Sequence, residues 1–174
     1  PISLQEIKEA IQELKLAKAP GCDSVITPES LKYGGERLER ELCDIFNQII
    51  DKNRAPKQFT TSLITPIPKK GDLTKMTNYR GISLMSHAAK LFNRILFNRI
   101  REPIDAILRP NQAGFRNSRS CIDQIHVIRT LLAGAIDKNI PLYISFVDFQ
   151  KAFDSINREK SFKFFDTMVS QTKL

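Results

Sequence analysis

The chain has 174 residues, with 27 Lys and Arg against 19 Asp and Glu, which gives a formal net charge of +8. Its hydrophobic content of 41% is enough for a core and excludes a wholly disordered chain. No apolar run approaches the roughly 20 residues that span a bilayer, so no membrane partner is predicted, and no protein partner is predictable. Cys22, Cys43 and Cys121 lie far apart, which argues against a disulfide framework or zinc site and favours an intracellular setting.

The positive charge is concentrated in the middle of the chain. Residues 57–129 hold 13 basic and 4 acidic side chains, whereas residues 1–56 sum to −2 and residues 130–174 to +1. This distribution indicates a polyanionic partner such as nucleic acid or nucleotide phosphates. A basic surface that is merely solvated is the alternative.

Two amphipathic helices are predicted in the first third of the chain. Ser3 and Glu6 have the spacing of a capping box, and apolar residues then recur at helical spacing, so a helix is predicted over 4–17. A turn follows at 19–23. A second helix is predicted through 38–49, ending before Pro56.

The basic middle segment predicts one strand, a turn and a third helix. Residues 62–67 have strand composition, and the prolines at 66 and 68 confine that strand to an edge or end it. A basic turn at 69–72 and a loop through 78–81 follow. The third helix is predicted over 86–101, before an irregular stretch bracketed by Pro103 and Pro110.

The last third predicts a fourth helix and a buried strand. The helix starts near Ser120, places Ile125, Ile128, Leu132 and Ile136 inside, and ends at Asn139 and Pro141. The continuous apolar run at 142–147 (LYISFV) predicts a buried central strand. It ends in Asp148, and Asp154 is a natural N-cap for a further helix.

The Asp148 carboxylate at the end of that strand is the sharpest chemical signal. A charged side chain is costly to bury without a partner, so this carboxylate is expected to face a crevice, where it could hold Mg²⁺. Phosphatases, response regulators and polymerases share this arrangement, and a turn or capping Asp is the plain alternative. An Asp-nucleophile phosphatase would want a second Asp two residues on, where this chain has Gln150.

Five segments in order resemble the reverse transcriptase of non-LTR (LINE-type) retrotransposons. They are LKLAKAPGCDSV (14–25), SLITPIPKKGD with NYRGISL (62–72 and 78–84), KLFNRILFNRI (90–100), NQAGFRNSRSCIDQI (111–125) and FVDFQKAFDSI (146–156). The resemblance implies an α+β fold, namely right-hand polymerase fingers plus a truncated palm, with helices around a small, mostly antiparallel sheet. Fingers and fingers/palm helices would occupy 1–140. The start of the palm would occupy 141–174, with a divergent tail at 161–174.

The resemblance also implies roles for individual residues. Asp148 would be the catalytic, metal-binding carboxylate, assisted by the backbone carbonyl of Phe149, with Mg²⁺ as the cofactor. The nucleotide would be bound by residues of the second and fifth of these segments: Lys69, Arg80, Lys151, Ala152 and Phe153. Template and primer would be contacted by Gln112, Arg116 and Arg119.

The implied activity is RNA-directed DNA synthesis on an RNA template and a DNA primer with dNTPs. The family favours the nucleus, although the sequence itself does not decide between nucleus and cytoplasm. The sequence contains no aromatic-x-Asp-Asp motif, which supplies the remaining metal-binding carboxylates in this family. The chain therefore looks like a piece of something longer that is inactive alone. One rival interpretation is a non-catalytic nucleic-acid-binding remnant. The other is an unrelated Mg²⁺-dependent phosphotransfer enzyme. With its palm strand unpartnered, the isolated chain is expected to be poorly soluble.

Overall fold

The computed structural model describes residues 1–23, 25–150 and 152–171, with side chains described as far as residue 167. Within this part the fold is α+β, as predicted, with seven α-helices and one two-stranded antiparallel sheet. The elements, in chain order, are α1 Leu4–Gln12, α2 Pro28–Tyr33, α3 Gly35–Lys52, α4 Lys57–Thr60, β1 Ser62–Pro68, a 3₁₀ turn Met76–Asn78, β2 Tyr79–Met85, α5 His87–Ile107, α6 Cys121–Asp137 and α7 Arg158–Gln171. They divide into two compact units, residues 1–102 and 103–174.

The first helix begins where the sequence predicts. The Ser3 hydroxyl accepts a hydrogen bond from the Glu6 amide, and the Glu6 carboxylate accepts one from the Ser3 amide at 2.8 Å. These two bonds satisfy amide groups that the first helical turn leaves without partners. The helix ends at Gln12, about one turn earlier than predicted, and Ala17 then adopts a positive φ of 56°.

The core of the first unit is built by α1, α2, α3 and α5. Phe46 is fully buried at its centre and makes edge-on contacts with two further rings, Phe59 at 6.2 Å and Phe92 at 5.1 Å. Its buried members are Ile2, Ile7, Ala10, Ile11, Leu31, Leu42, Phe46, Ile49, Ala88, Leu91 and Ile95. From α5 this core takes Ala88, Leu91 and Ile95, whose spacing of three and four residues places them on one face of the helix.

The two strands form a hairpin, and the predicted strand at 62–67 is confirmed. Ser62 pairs with Met85 at its base, and Pro68 pairs with Tyr79 near its turn. Each strand has one neighbour in the described sheet, so β1 is an edge strand and tolerates two prolines that cannot donate ladder hydrogen bonds.

The third helix is longer than predicted, and this prediction is corrected. α5 continues through Pro103 to Ile107, although proline removes one backbone hydrogen bond and crowds the preceding turn. The helical hydrogen bonding resumes after the proline, and the Leu108 amide donates to the Ile104 carbonyl at 3.2 Å. The boundary between the two units falls at Pro103.

Helix α6 is confirmed, but its predicted inward-facing side chains are not buried. Ser120 caps its first turn in a capping box with Asp123. Ile125 is 49% exposed and Ile136 is 72% exposed. No side chain described between residues 103 and 167 is buried. The apolar face of an amphipathic helix stays exposed to solvent when no second layer of structure packs against it.

The predicted buried central strand at 142–147 is wrong for the described chain. The segment has no regular secondary structure, and Tyr143 and Phe146 are 93% and 81% exposed. A strand is defined by ladder hydrogen bonds to a neighbour, and the described residues offer this segment none. Asp154 lies in a turn, and α7 begins at Arg158 after Asn157, whose side chain accepts from the Lys160 amide.

Candidate nucleotide and nucleic-acid site

The hairpin turn presents the predicted nucleotide-binding cations of the first unit. Lys69 follows β1 directly, and its amide donates to the Asn78 carbonyl at 2.7 Å, which closes the turn. Arg80 lies in β2 opposite Ile67. The side chains of Lys69 and Arg80 are exposed and have neither an ion pair nor a hydrogen bond within the described part of the chain. Both are therefore available to an anion.

The turn between the strands is held by its own polar groups. The Asp72 carboxylate accepts hydrogen bonds from the Thr74 hydroxyl at 2.7 Å and the Thr74 amide at 3.0 Å. These donors lower the pKa of Asp72 from its usual value. Asn78 donates to the Asp72 carbonyl at 2.6 Å, and Gly71 takes a positive φ of 120° that other residues adopt with strain. The turn is thus shaped before any ligand binds.

Asp148 and Phe149, the predicted metal-binding residues, lie in the unpaired segment of the second unit. Asp148 is exposed, and its backbone belongs to no strand. Across the described ranges, no three His, Cys, Asp or Glu side chains gather so that they could hold a metal ion. A carboxylate and a carbonyl have the oxygen chemistry that Mg²⁺ prefers, but they fall short of the near-octahedral set it demands. Since Mg²⁺ is commonly held by one or two carboxylates together with substrate phosphates and waters, Asp148 and Phe149 would supply only part of its coordination set.

The structure brings Phe153 to the loop that carries Gln112 and Arg116. The Phe153 ring meets the Phe115 ring edge-on at 6.1 Å, and both rings are largely exposed. Phe115 adopts a positive φ of 62°, which is unusual for a bulky residue. This contact is not predictable from the sequence, because neither the φ angle of Phe115 nor its pairing with Phe153 has a local sequence pattern. Lys151, also a predicted nucleotide-binding residue, lies outside the described residues, and Ala152 is exposed in the turn before Ser155.

Arg116 is engaged inside its own unit. Its guanidinium forms a bidentate ion pair with Asp105, with bonds of 2.7 and 3.0 Å, and also donates to the carbonyls of Arg109 and Gln112. Only 9% of its side chain is exposed, and the ion pair raises its pKa above the usual value. The role predicted for it on nucleic acid would need these bonds to be exchanged.

Gln112 and Arg119, the other predicted nucleic-acid contacts, remain exposed. The Gln112 side chain donates to the Gly114 carbonyl at 3.3 Å. Arg119 has no ion pair or side-chain hydrogen bond within the described ranges. Of the two arginines, Arg116 is paired with Asp105, whereas Arg119 has no acidic partner among the described residues.

No helix in the described part of the chain has the length and hydrophobicity needed to cross a membrane.

Comparison with known proteins identifies the family. Residues 67–173 match the profile of the family described as reverse transcriptase (RNA-dependent DNA polymerase). The chain is 35% identical over 159 residues to a probable RNA-directed DNA polymerase from transposon BS of Drosophila melanogaster, with 90% of this chain and 17% of the relative covered.

Two further relatives agree. The RNA-directed DNA polymerase from mobile element jockey of Drosophila funebris is 30% identical, over 90% of this chain and 17% of the relative. The Pol polyprotein of the type-1 retrotransposable element R2 of Nasonia vitripennis is also 30% identical, over 90% of this chain and 14% of the relative. This chain thus spans less than a fifth of these relatives' length. The resemblance drawn from the motifs is confirmed: the chain belongs to the reverse transcriptase family, in the branch of the non-LTR retrotransposons.

Proposed function

We propose that this chain supplies the fingers and the start of the palm of an RNA-directed DNA polymerase. In this proposal the hairpin of β1 and β2 binds the phosphates of an incoming dNTP through Lys69 and Arg80. The observation that carries it is the exposure of these two cations, Lys69 at the start of the turn and Arg80 in β2 just after it, beside a turn shaped by Asp72 and Asn78. A planar guanidinium can grip phosphate oxygens in pairs, and a lysine adds a compact point charge.

Asp148 is proposed as one metal-binding carboxylate of the complete polymerase, with the Phe149 carbonyl beside it. When bound, Mg²⁺ would supply charge stabilisation for nucleotidyl transfer. The carboxylate set of this chain is incomplete, so we expect the isolated chain to bind substrates without extending a primer. A primer-extension assay with Mg²⁺ and dNTPs tests this. Extension that disappears in Asp148→Ala would overturn the expected inactivity.

Phe153 and Ala152 are proposed to face the nucleotide sugar, and Gln112, Arg116 and Arg119 to follow the template and primer. The contact between Phe153 and Phe115 supports this, because it links the proposed sugar site to the loop that carries Gln112 and Arg116. The proposed substrates are an RNA template, a DNA primer and dNTPs.

Binding of a fluorescent RNA–DNA hybrid across a salt series tests the interaction with nucleic acid. On duplex DNA each phosphate contact contributes about 0.9 to the slope of log K against log salt. Arg119→Gln should therefore lower the slope by about one unit. Lys160→Gln, which removes an exposed cation outside the predicted sites, is the matched control and should change it little. Equal slopes for both variants would exclude Arg119 from the contact.

A nucleic-acid-binding remnant without chemistry is the second candidate function. It is favoured by the exposed cations and the absence of a gathered metal-ligand cluster in the described ranges. It predicts that Asp148→Ala leaves hybrid affinity unchanged both with and without Mg²⁺. The polymerase interpretation predicts that Mg²⁺ strengthens dNTP binding in the parent chain and that Asp148→Ala removes this gain.

A further inference from the structure

Residues 17–22, which we call the strap, cross the first unit without regular secondary structure. They include Ala19, Pro20 and Gly21 of the first motif, to which the proposed function gives no role. The Ala17 amide donates to the Glu29 carboxylate at 2.6 Å, which ties one end of the strap to α2. This donor lowers the pKa of Glu29 from its usual value.

The middle of the strap lies on the first turn of α5. The buried His87 ring places Nε2 3.1 Å from the Ala19 carbonyl oxygen. Since a carbonyl oxygen only accepts hydrogen bonds, Nε2 is the donor. Gly21 is buried against the backbone that joins β2 to α5. A Cβ placed on Gly21 would lie 2.7 Å from the Ser86 nitrogen and nearer still to the Met85 carbonyl. Glycine is required here because the two backbones approach too closely for any side chain.

The last residue of the strap, Cys22, contacts the chain just before β1, the other strand of the hairpin. The Cys22 thiol lies 3.3 Å from the Thr61 carbonyl oxygen and 3.7 Å from that of Gln58. Thr61 directly precedes β1, and Met85, which Gly21 contacts, is the last residue of β2. The consecutive residues Gly21 and Cys22 therefore contact the chain on both sides of the hairpin base, where Ser62 pairs with Met85.

This arrangement matters because the hairpin has little other support. The side chains of Leu63 and Ile64 are 55% and 67% exposed, and no residue of β1 or β2 belongs to the buried core. A two-stranded hairpin without a packed face is only marginally stable in water. The contacts at its base must therefore largely determine the orientation of the hairpin relative to the helical core.

We propose that Gly21, Cys22 and His87 are positioning residues that set the direction of the hairpin relative to the helical core. Through the hairpin they place Lys69 and Arg80 for the nucleotide. The effect on the nucleotide rests on the proposed function, whereas the effect on the hairpin does not.

The test compares two glycine substitutions in the same unit. Gly21→Ala brings a Cβ into the backbone between β2 and α5. Gly34→Ala is the matched control, because its Cβ would lie 2.7 Å from the Ser30 carbonyl oxygen at the corner between α2 and α3, away from the hairpin. Nitroxide labels are attached to ketone-bearing side chains introduced at Lys70 and Glu41, which leaves Cys22 intact. Pulsed electron paramagnetic resonance then measures the distance between the hairpin turn and α3.

The expected result is a shifted or broadened distance distribution in Gly21→Ala and an unchanged one in Gly34→Ala, below the melting temperature of both. Equal broadening in the two variants, or none in Gly21→Ala, overturns the proposal. If Gly21→Ala does not fold, Cys22→Ala replaces it. Loss of the thiol donor should broaden the distribution, and Cys22→Ser, which keeps a donor, should restore it. Failure of Cys22→Ala to broaden it overturns the proposal in that case.

A second readout separates this proposal from the function it rests on. In the folded strap variant, the dissociation constant for a dNTP should rise several-fold, and adding Arg80→Gln should raise it no further. If the parent chain binds no nucleotide, the proposed function fails while the distance measurement still decides the role of the strap. If the distances change but the dNTP affinity does not, the strap does not place the cations. The part of the proposal that concerns nucleotide binding is then overturned.

Discussion

The ion pair between Glu6 and Arg99 predicts a specific loss of stability in acid. Two guanidinium nitrogens of Arg99 lie 2.6 and 2.9 Å from the Glu6 oxygens, and the second nitrogen also donates to the Pro1 carbonyl at 2.6 Å. The hydrogen bond from Arg99 is the main cause that lowers the pKa of Glu6 from 4.5 to about 2. A carboxyl whose pKa is lower in the folded state stabilises the fold above its unfolded pKa and loses that contribution as the pH falls.

The magnitude follows from this shift after a correction for exposure. A shift from 4.5 to about 2 corresponds to roughly 3.5 kcal/mol at about 1.4 kcal/mol per pH unit. The side chains of Arg99 and Glu6 are 39% and 29% exposed, so solvent screening reduces the contribution to about 1–2 kcal/mol. Arg99→Met should therefore lower the free energy of unfolding by about that amount at pH 7.

Urea unfolding followed from pH 7 down to about pH 2 measures this contribution. The difference between the parent chain and Arg99→Met should be constant above pH 4.5 and shrink towards zero as the pH falls to about 2. Glu6→Gln serves as the control, since glutamine keeps the capping geometry of α1 and does not titrate. The reasoning is refuted if Arg99→Met follows the same pH dependence as the parent chain.

Three further substitutions test the packing, the long helix and a cap. Phe46→Ala should lower the free energy of unfolding of the first unit by about 3–5 kcal/mol, measured by urea titration, because it leaves a cavity among packed rings. Pro103→Ala should increase the helical circular dichroism signal and raise the melting temperature, since it restores an amide donor inside α5; an unchanged spectrum would contradict the continuous helix. Ser120→Ala should increase amide hydrogen exchange in the first turn of α6, at a cost of about 1 kcal/mol, while Ser120→Asp should preserve protection.

Local sequence patterns predicted the elements whose stability is decided locally. The capping residues Ser3 and Ser120 and the spacing of apolar residues located α1, α3, α5 and α6, because these signals operate within a few residues. The prolines of β1 correctly indicated an edge strand. The predicted end of α5 is wrong because a proline is typical of a helix boundary, whereas Pro103 lies inside the helix, where it is a local cost that the neighbouring turns tolerate.

The failures concern features that depend on distant residues. The apolar segment at 142–147 has the composition of a buried strand, but a strand exists only if another strand pairs with it. The strap could not be predicted, because the partner of Cys22 in Thr61 and the partner of Ala19 in His87 lie 39 and 68 residues away. In the candidate site, the sequence named the exposed cations Lys69 and Arg80 but gave no indication that Arg116 is held by Asp105.

The preference of the chain for triphosphate over monophosphate tests the central claim most directly. Isothermal titration gives the affinities of a dNTP and of the matching deoxynucleoside monophosphate for the parent chain and for the Lys69→Gln/Arg80→Gln variant. We predict at least a tenfold preference for the triphosphate in the parent chain, equivalent to about 1.4 kcal/mol, and little preference in the variant. The Lys160→Gln/Lys163→Gln control, which removes the same charge from α7, should keep the preference. An unchanged preference in the hairpin variant, or an equal loss in the control, would contradict the claim that the hairpin binds the nucleotide's phosphates.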